Sequence, residues 1–165
     1  MLPWIGKGLS KFPYFRNKMT PTPNVKIKEI DREQIRNEHL QTKIEKFDMA
    51  LKIALEYTQT TFAPYLIDAN ITLLCSHITL YAEQKELKNI TPIKLDKQLT
   101  TIDIYHFGWN IWNHFQVSDQ VQMARFLKTV FSHTLREVDD VETIKKKLKI
   151  FEPKCKIQIR ENLSK

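Results

Sequence analysis

Apolar residues recur at helical spacing over most of the chain beyond residue 29. In residues 29–60, Leu40, Ile44, Phe47, Leu51 and Ala54 or Leu55 step by four, three, four and three or four, a heptad-like stripe. Glu29, Asp31 and Glu33 at its start favour a helix N-terminus, where the peptide dipoles leave partial positive charge. The stripe covers barely two heptads, which predicts a long bundle helix rather than a free coiled coil. Pro64 then restarts the chain, and a second helix is expected over about 64–88 with Ile71, Leu74, Cys75, Ile78, Tyr81 and Ala82 on one face. Leu66, Ile67, Leu73 and Leu80 widen that apolar surface, so this helix is expected at the centre. Its β-branched residues suit a strand as well, but length and period favour the helix.

Residues 104–115 hold five of the seventeen aromatic side chains. On a helix, Ile104, Phe107, Ile111 and Phe115 form one stripe, and Tyr105, Trp109 and Trp112 a second beside it. A helix apolar over two faces packs between others. Gly108 inside it weakens the helix by about 1 kcal/mol against Ala, which a close backbone approach would explain. Thr100 and Asp103 supply cap-like residues before it. A short break over 116–119 follows, with Ser118 or Asp119 as the next cap. Val121, Ala124, Leu127, Phe131 and Leu135 make a further amphipathic helix. Asp139 or Asp140 caps a shorter one, with Val141, Ile144 and Leu148 on one face and lysines around the others. Beyond Pro153, residues 155–160 alternate apolar and polar in the manner of a short strand.

Three glycines in 165 residues argue against a turn-rich all-β fold and against glycine-rich phosphate loops. The net charge is +7, and it sits at the ends: residues 1–28 carry six basic groups and no acid, and residues 100–165 carry eleven basic and eight acidic. Such a balance suits nucleic acid, a phosphate-rich surface or an acidic protein. Residues 1–28 read as a basic, proline-rich arm whose Trp4, Phe12, Tyr14 and Phe15 could anchor it to a partner. Two distant cysteines, Cys75 and Cys155, imply no disulfide framework and fit a reducing compartment. No apolar run reaches the length of a membrane span, and no secretory h-region is expected. The expected setting is intracellular and cytoplasmic. Organelle import stays open, because the arm is acid-free like a transit peptide even though its prolines interrupt the helix such a peptide needs.

The sequence carries few marks of an active site. His106 and His114 stand two helical turns apart, too far to share a metal without a ligand from elsewhere. Cys75 and His77 face different ways on a helix. There is no Cys-x-x-Cys, His-Glu-x-x-His, Gly-x-Ser-x-Gly, phosphate loop or dinucleotide fingerprint. The histidines read as core or boundary residues using their polar edges, and Asp139 and Asp140 as caps. No catalytic residue, metal or cofactor is assigned.

The richer constellation is residues 100–160: helix, tight break, helix, short basic helix, basic strand. This is the rhythm of helix-turn-helix and winged-helix modules, a likeness of pattern alone. With Gln116 at the turn, Gln122 and Arg125 would face inward, and the usual glycine is absent, which counts against a bihelical reading unit there. Lys145, Lys146, Lys147 and Lys149, followed by Lys154, Lys156 and Arg160, can still meet phosphates, although lysines at a helix end also read as a solvated face. The expected architecture is mainly α: an arm (1–28), a helical bundle portion (29–99), and a winged-helix-like basic portion with one short β element (100–165). The expected function is a non-enzymatic accessory subunit of a larger nucleic-acid-handling assembly, touching DNA or RNA by its phosphates. The alternative is a protein-binding adaptor without nucleic-acid contact, and a third reading is a small enzyme whose site leaves no motif.

Overall fold

The computed structural model describes residues 28–138 and 140–164. Among these the chain forms five helices and no strand: α1 (Arg32–Phe62), α2 (Asp68–Ala82), α3 (Thr101–Phe115), α4 (Gln120–Val130) and α5 (Val141–Lys147). Most starts are set by short polar caps. The Asp31 carboxylate accepts from Glu33 N and Gln34 N, Asp119 from Gln122 N, and Asp140 from Thr143 N. Thr100 and Asp103 form a reciprocal capping box at the head of α3. α2 is shorter than its sequence suggests. Pro64 lies in the turn before it rather than in its first turn, and Gln84, with φ of 56°, ends it in the left-handed region. α3 likewise ends on a left-handed residue, Gln116 (φ 49°, ψ 32°), in place of a glycine. That conformation costs a side chain roughly 1–2 kcal/mol.

α1 packs on α2 and α3; α4 packs on α3, α2 and α5; and α3 also touches α5. Phe107 is the hub. Its ring meets Phe62 edge-on at 4.8 Å, Phe131 edge-on at 6.2 Å and Tyr57 at 5.9 Å. Gly108 has the packing reason its cost implies: a Cβ there would lie 2.4 Å from Leu127 Cδ1, so any side chain at 108 would force Leu127 to shift. Trp109 and Trp112 depart from the buried role their stripe suggests. They are half-buried at the flank, ring centroids 5.0 Å apart, with Trp112 Nε1 donating to Ser118 O.

Two expectations change more. The apolar stripe of α1 is divided in its fate. Ala54, Thr58 and Phe62 are fully buried, whereas Leu40 and Ile44, on the same line of the helix, are 56% and 46% exposed. The helix is 31 residues long, about 46 Å, and its first half stands clear of the body. The segment beyond Pro153 forms no strand and no wing. Its residues do alternate, Ile157 buried between exposed Lys156 and Gln158, but its backbone bonds to side chains of α3 instead of a neighbouring strand. Without a ladder partner the alternation has no sheet to join.

Candidate functional site

α3 is apolar on two sides and polar on a third. Asp103, His106, Asn110 and Asn113, at i, i+3, i+7 and i+10, share one line of the helix. The C-terminal strap, residues 150–163, lies along that line, and each of the four takes hold of its backbone. One oxygen of Asp103 accepts from Lys156 N (2.7 Å) and Ile157 N (2.9 Å), while the other completes the capping box through Thr100 N (2.7 Å). Asn110 donates to Gln158 O (2.9 Å) and accepts from Arg160 N (2.7 Å), its second amide hydrogen reaching Tyr57 Oη (2.8 Å). Asn113 donates to Glu161 O (3.2 Å).

His106 is the tightest point. Its ring is buried, with Nδ1 2.7 Å from Ile157 O and Nε2 2.7 Å from Ile150 O. Both ring nitrogens thus face main-chain carbonyl oxygens of the strap, one on each side of the ring. Burial pushes the Asp103 carboxyl up, and the donors from Ile157, Thr100 and Lys156 outweigh it, so its pKa lies below the ordinary carboxylate value. Ile157 and Leu163 are the strap's buried apolar anchors. Three cations then close over rings beneath: Lys149 over Trp109 (4.7 Å), Lys156 over Tyr65 (5.7 Å) and Arg160 over Tyr57 (5.3 Å).

The basic residues singled out in the sequence therefore fall into two groups. Lys149, Lys156 and Arg160 cross the strap region as cation–ring contacts. Lys146, Lys147 and Lys154 are exposed, and Lys145 pairs with Glu142 at 3.2 Å. Lys145, Lys146 and Lys147 make up the last turn of α5, where cations suit the carbonyl end of the helix dipole. Trp4, Phe12, Tyr14 and Phe15 lie outside the described residues, as does Asp139.

Two further histidines tie parts of the body together. His114 Nε2 donates to Ala50 O (2.8 Å), tying α3 to α1, and His77 Nε2 donates to Thr91 O (3.1 Å). His77 Nδ1 is buried without a hydrogen-bond partner among the described residues, and burial lowers the ring's pKa. Burial raises both cysteine thiols, and at Cys155 the charges of Asp103 and Glu152 add to it, which leaves neither activated as a nucleophile. A groove of about 470 Å³ between α2 and α4 is lined by Tyr81, Lys85, Ser118, Arg125 and Phe126. No cluster of His, Cys, Asp and Glu among the described residues has the geometry to hold a metal, and none of the described helices is long and apolar enough to cross a membrane.

Sequence reading missed the α3 stripe as a unit. Asp103 reads as a cap and His106 as a core or boundary histidine using its polar edge; Asp103 caps α3, and His106 is the core case. The four-residue polar line on an otherwise apolar helix was the available signal. Comparison with protein-family models, with curated proteins and with solved structures gave no match.

Proposed function

We propose that the protein is a non-enzymatic accessory subunit of a larger nucleic-acid-handling assembly, with its basic C-terminal edge meeting phosphates. The observation that carries this reading is the edge formed by α5 and the residues after it. Lys146, Lys147 and Lys154 are exposed there and Lys149 lies over Trp109, while Glu142 pairs with Lys145 and Asp140 faces the charge of Lys146, so the lysines outnumber the acids. Phosphate contacts made by lysine are tolerant of sequence, and α5 carries no Arg, Asn or Gln to read base edges.

The test is a salt titration of DNA and RNA binding by the parent protein and by a folded Lys145/Lys146/Lys147→Glu variant. Each lost phosphate contact should flatten the slope of log affinity against log salt by roughly 0.7–0.9. Equal slopes for the two proteins refute the phosphate edge.

One observation favours the second reading, a protein-binding adaptor. The projecting half of α1 leaves Leu40 and Ile44, which share one line of the helix, exposed at 56% and 46%. An apolar stripe on a well-formed helix suits a partner's groove or helix. A Leu40→Asp/Ile44→Asp variant that stays folded but loses a partner which the parent retains, with DNA binding absent from both, decides for the adaptor.

A further inference from the structure

We propose that Phe151 is a stacking platform for an unpaired base, so that the nucleic acid taken by this edge is single-stranded. The inference rests on the phosphate reading above and adds the substrate class. Phe151 is 86% exposed, the most exposed of the large apolar side chains described. An aromatic ring left in water usually marks a frayed loop or a contact surface, and here the backbone is not frayed. On one side, Ile150 N donates to Lys147 O (3.1 Å), and Ile150 O takes Nε2 of the buried His106 (2.7 Å). On the other, Glu152 O accepts from Cys155 N (3.3 Å), and the Glu152 carboxylate accepts from Lys154 N (3.1 Å). The ring is presented by residues fastened before and after it.

Cations bracket it in the chain. Lys146, Lys147 and Lys149 precede it, and Lys154 follows three residues on. Lys149 is itself held over Trp109. Of the neighbouring acids, Glu142 pairs with Lys145, Asp140 faces Lys146, and Glu152 keeps its charge while accepting from the Lys154 amide, so five lysines stand against three acids. A π-face among lysines is the recognition chemistry of single strands: cations follow the backbone, and each base offers a face to stack, whatever its identity. A duplex buries its base faces, so it can use the lysines and leaves the ring idle. An anionic lipid surface would also meet lysines and a ring. It suits this edge less well, because Phe151 and the 40% exposed Ile150 are the whole of the apolar area the edge offers for insertion among the described residues, less than an amphipathic helix face presents.

The experiment uses the full chain and fluorescence anisotropy at low salt, with a thymidine oligonucleotide of about 12 nucleotides, an abasic strand of equal length, a duplex, and vesicles of phosphatidylserine and phosphatidylcholine. Phe151→Ala should weaken binding of the thymidine strand by about 5- to 150-fold, to the level of the abasic strand, and leave abasic and duplex binding unchanged. Phe151→Trp should retain the parent's preference. Because the ring is almost wholly exposed, both variants should keep the parent's melting midpoint. Equal weakening of single strand and duplex, or no change in either, overturns the platform and leaves the phosphate reading standing. Loss of vesicle binding with oligonucleotide binding intact overturns it in favour of a membrane surface. Failure of the parent protein to bind any oligonucleotide removes both readings together.

Discussion

α3 is an apolar helix with a polar stripe, and the projecting half of α1 is a polar helix with an apolar stripe. In α3 each group of the minority kind is used: Asp103, His106, Asn110 and Asn113 all bond the strap. In α1 the minority kind is left over, with Leu40 and Ile44 facing water. The difference follows from what each error costs. A buried polar group without a partner costs about 1–3 kcal/mol, so a folded chain completes such groups itself. An exposed leucine costs the folded chain little and can wait for another molecule. Satisfied polar groups in a core thus report on folding, and unsatisfied apolar groups on a surface report on association.

The comparison breaks first at Asp103. Asp103→Ala removes two charged hydrogen bonds to the strap and half of a capping box. It should cost on the order of 4 kcal/mol in urea unfolding, with rapid amide exchange at Lys156 and Ile157. A loss below about 1 kcal/mol would mean that the strap is ornamental. Gly108→Ala tests the close approach behind the stripe. Overpacking against Leu127 costs about 1–3 kcal/mol and the helix regains about 1, for a net loss of roughly 1 kcal/mol. Leu127→Ala should relieve the clash, so the double variant should be more stable than the sum of the two single losses implies.

Acid should separate two regions by pH. The Asp103 carboxyl titrates lower in the fold than in the unfolded chain. Its contribution is therefore full above about pH 3.9 and is lost as pH falls through the lower folded value. The His77 ring also titrates lower in the fold, because burial disfavours its charge. The unfolded chain takes up that proton first, so stability should already decline below about pH 6.5. Melting midpoints measured from pH 7.5 to 3 should thus fall in two stages, and a His77→Gln variant should lack the first. Loss of the first stage from an Asp103→Asn variant instead would reverse the assignment. The smallest effect belongs to the other side of the comparison: Leu40→Ala and Ile44→Ala should each move stability by no more than about 0.5 kcal/mol. A larger loss in dilute protein would show that the stripe is already covered.

The helices were readable because period and caps are local. Thr100 with Asp103, Asp119 and Asp140 all cap where their residue types suggest. Two things were not readable, for different reasons. The α1 stripe keeps one direction along its whole length, so the pattern cannot say where the body ends along it. Residues 155–160 alternate like a strand and bury Ile157 as a strand would, but a backbone's choice between a neighbouring strand and the side chains of a helix leaves no mark in its own sequence. The candidate edge is a mixed case. Its lysines stand out in the sequence at once, whereas the fastening of the chain beside Phe151, His106 to Ile150, is a contact spanning 44 residues.

The clasp between α3 and the strap has a consequence for what substitutions the tail can accept. The four side chains of α3 grip peptide groups, and nineteen of the twenty amino acids bring the same peptide group to each place. Apart from the anchors Ile157 and Leu163, the tail's letters are interchangeable as far as this grip is concerned. The exception is the residue with no amide hydrogen. Proline at 156, 157 or 160 removes a donor that Asp103 or Asn110 needs, whereas at 158 or 161, where only the carbonyl is engaged, the grip survives it.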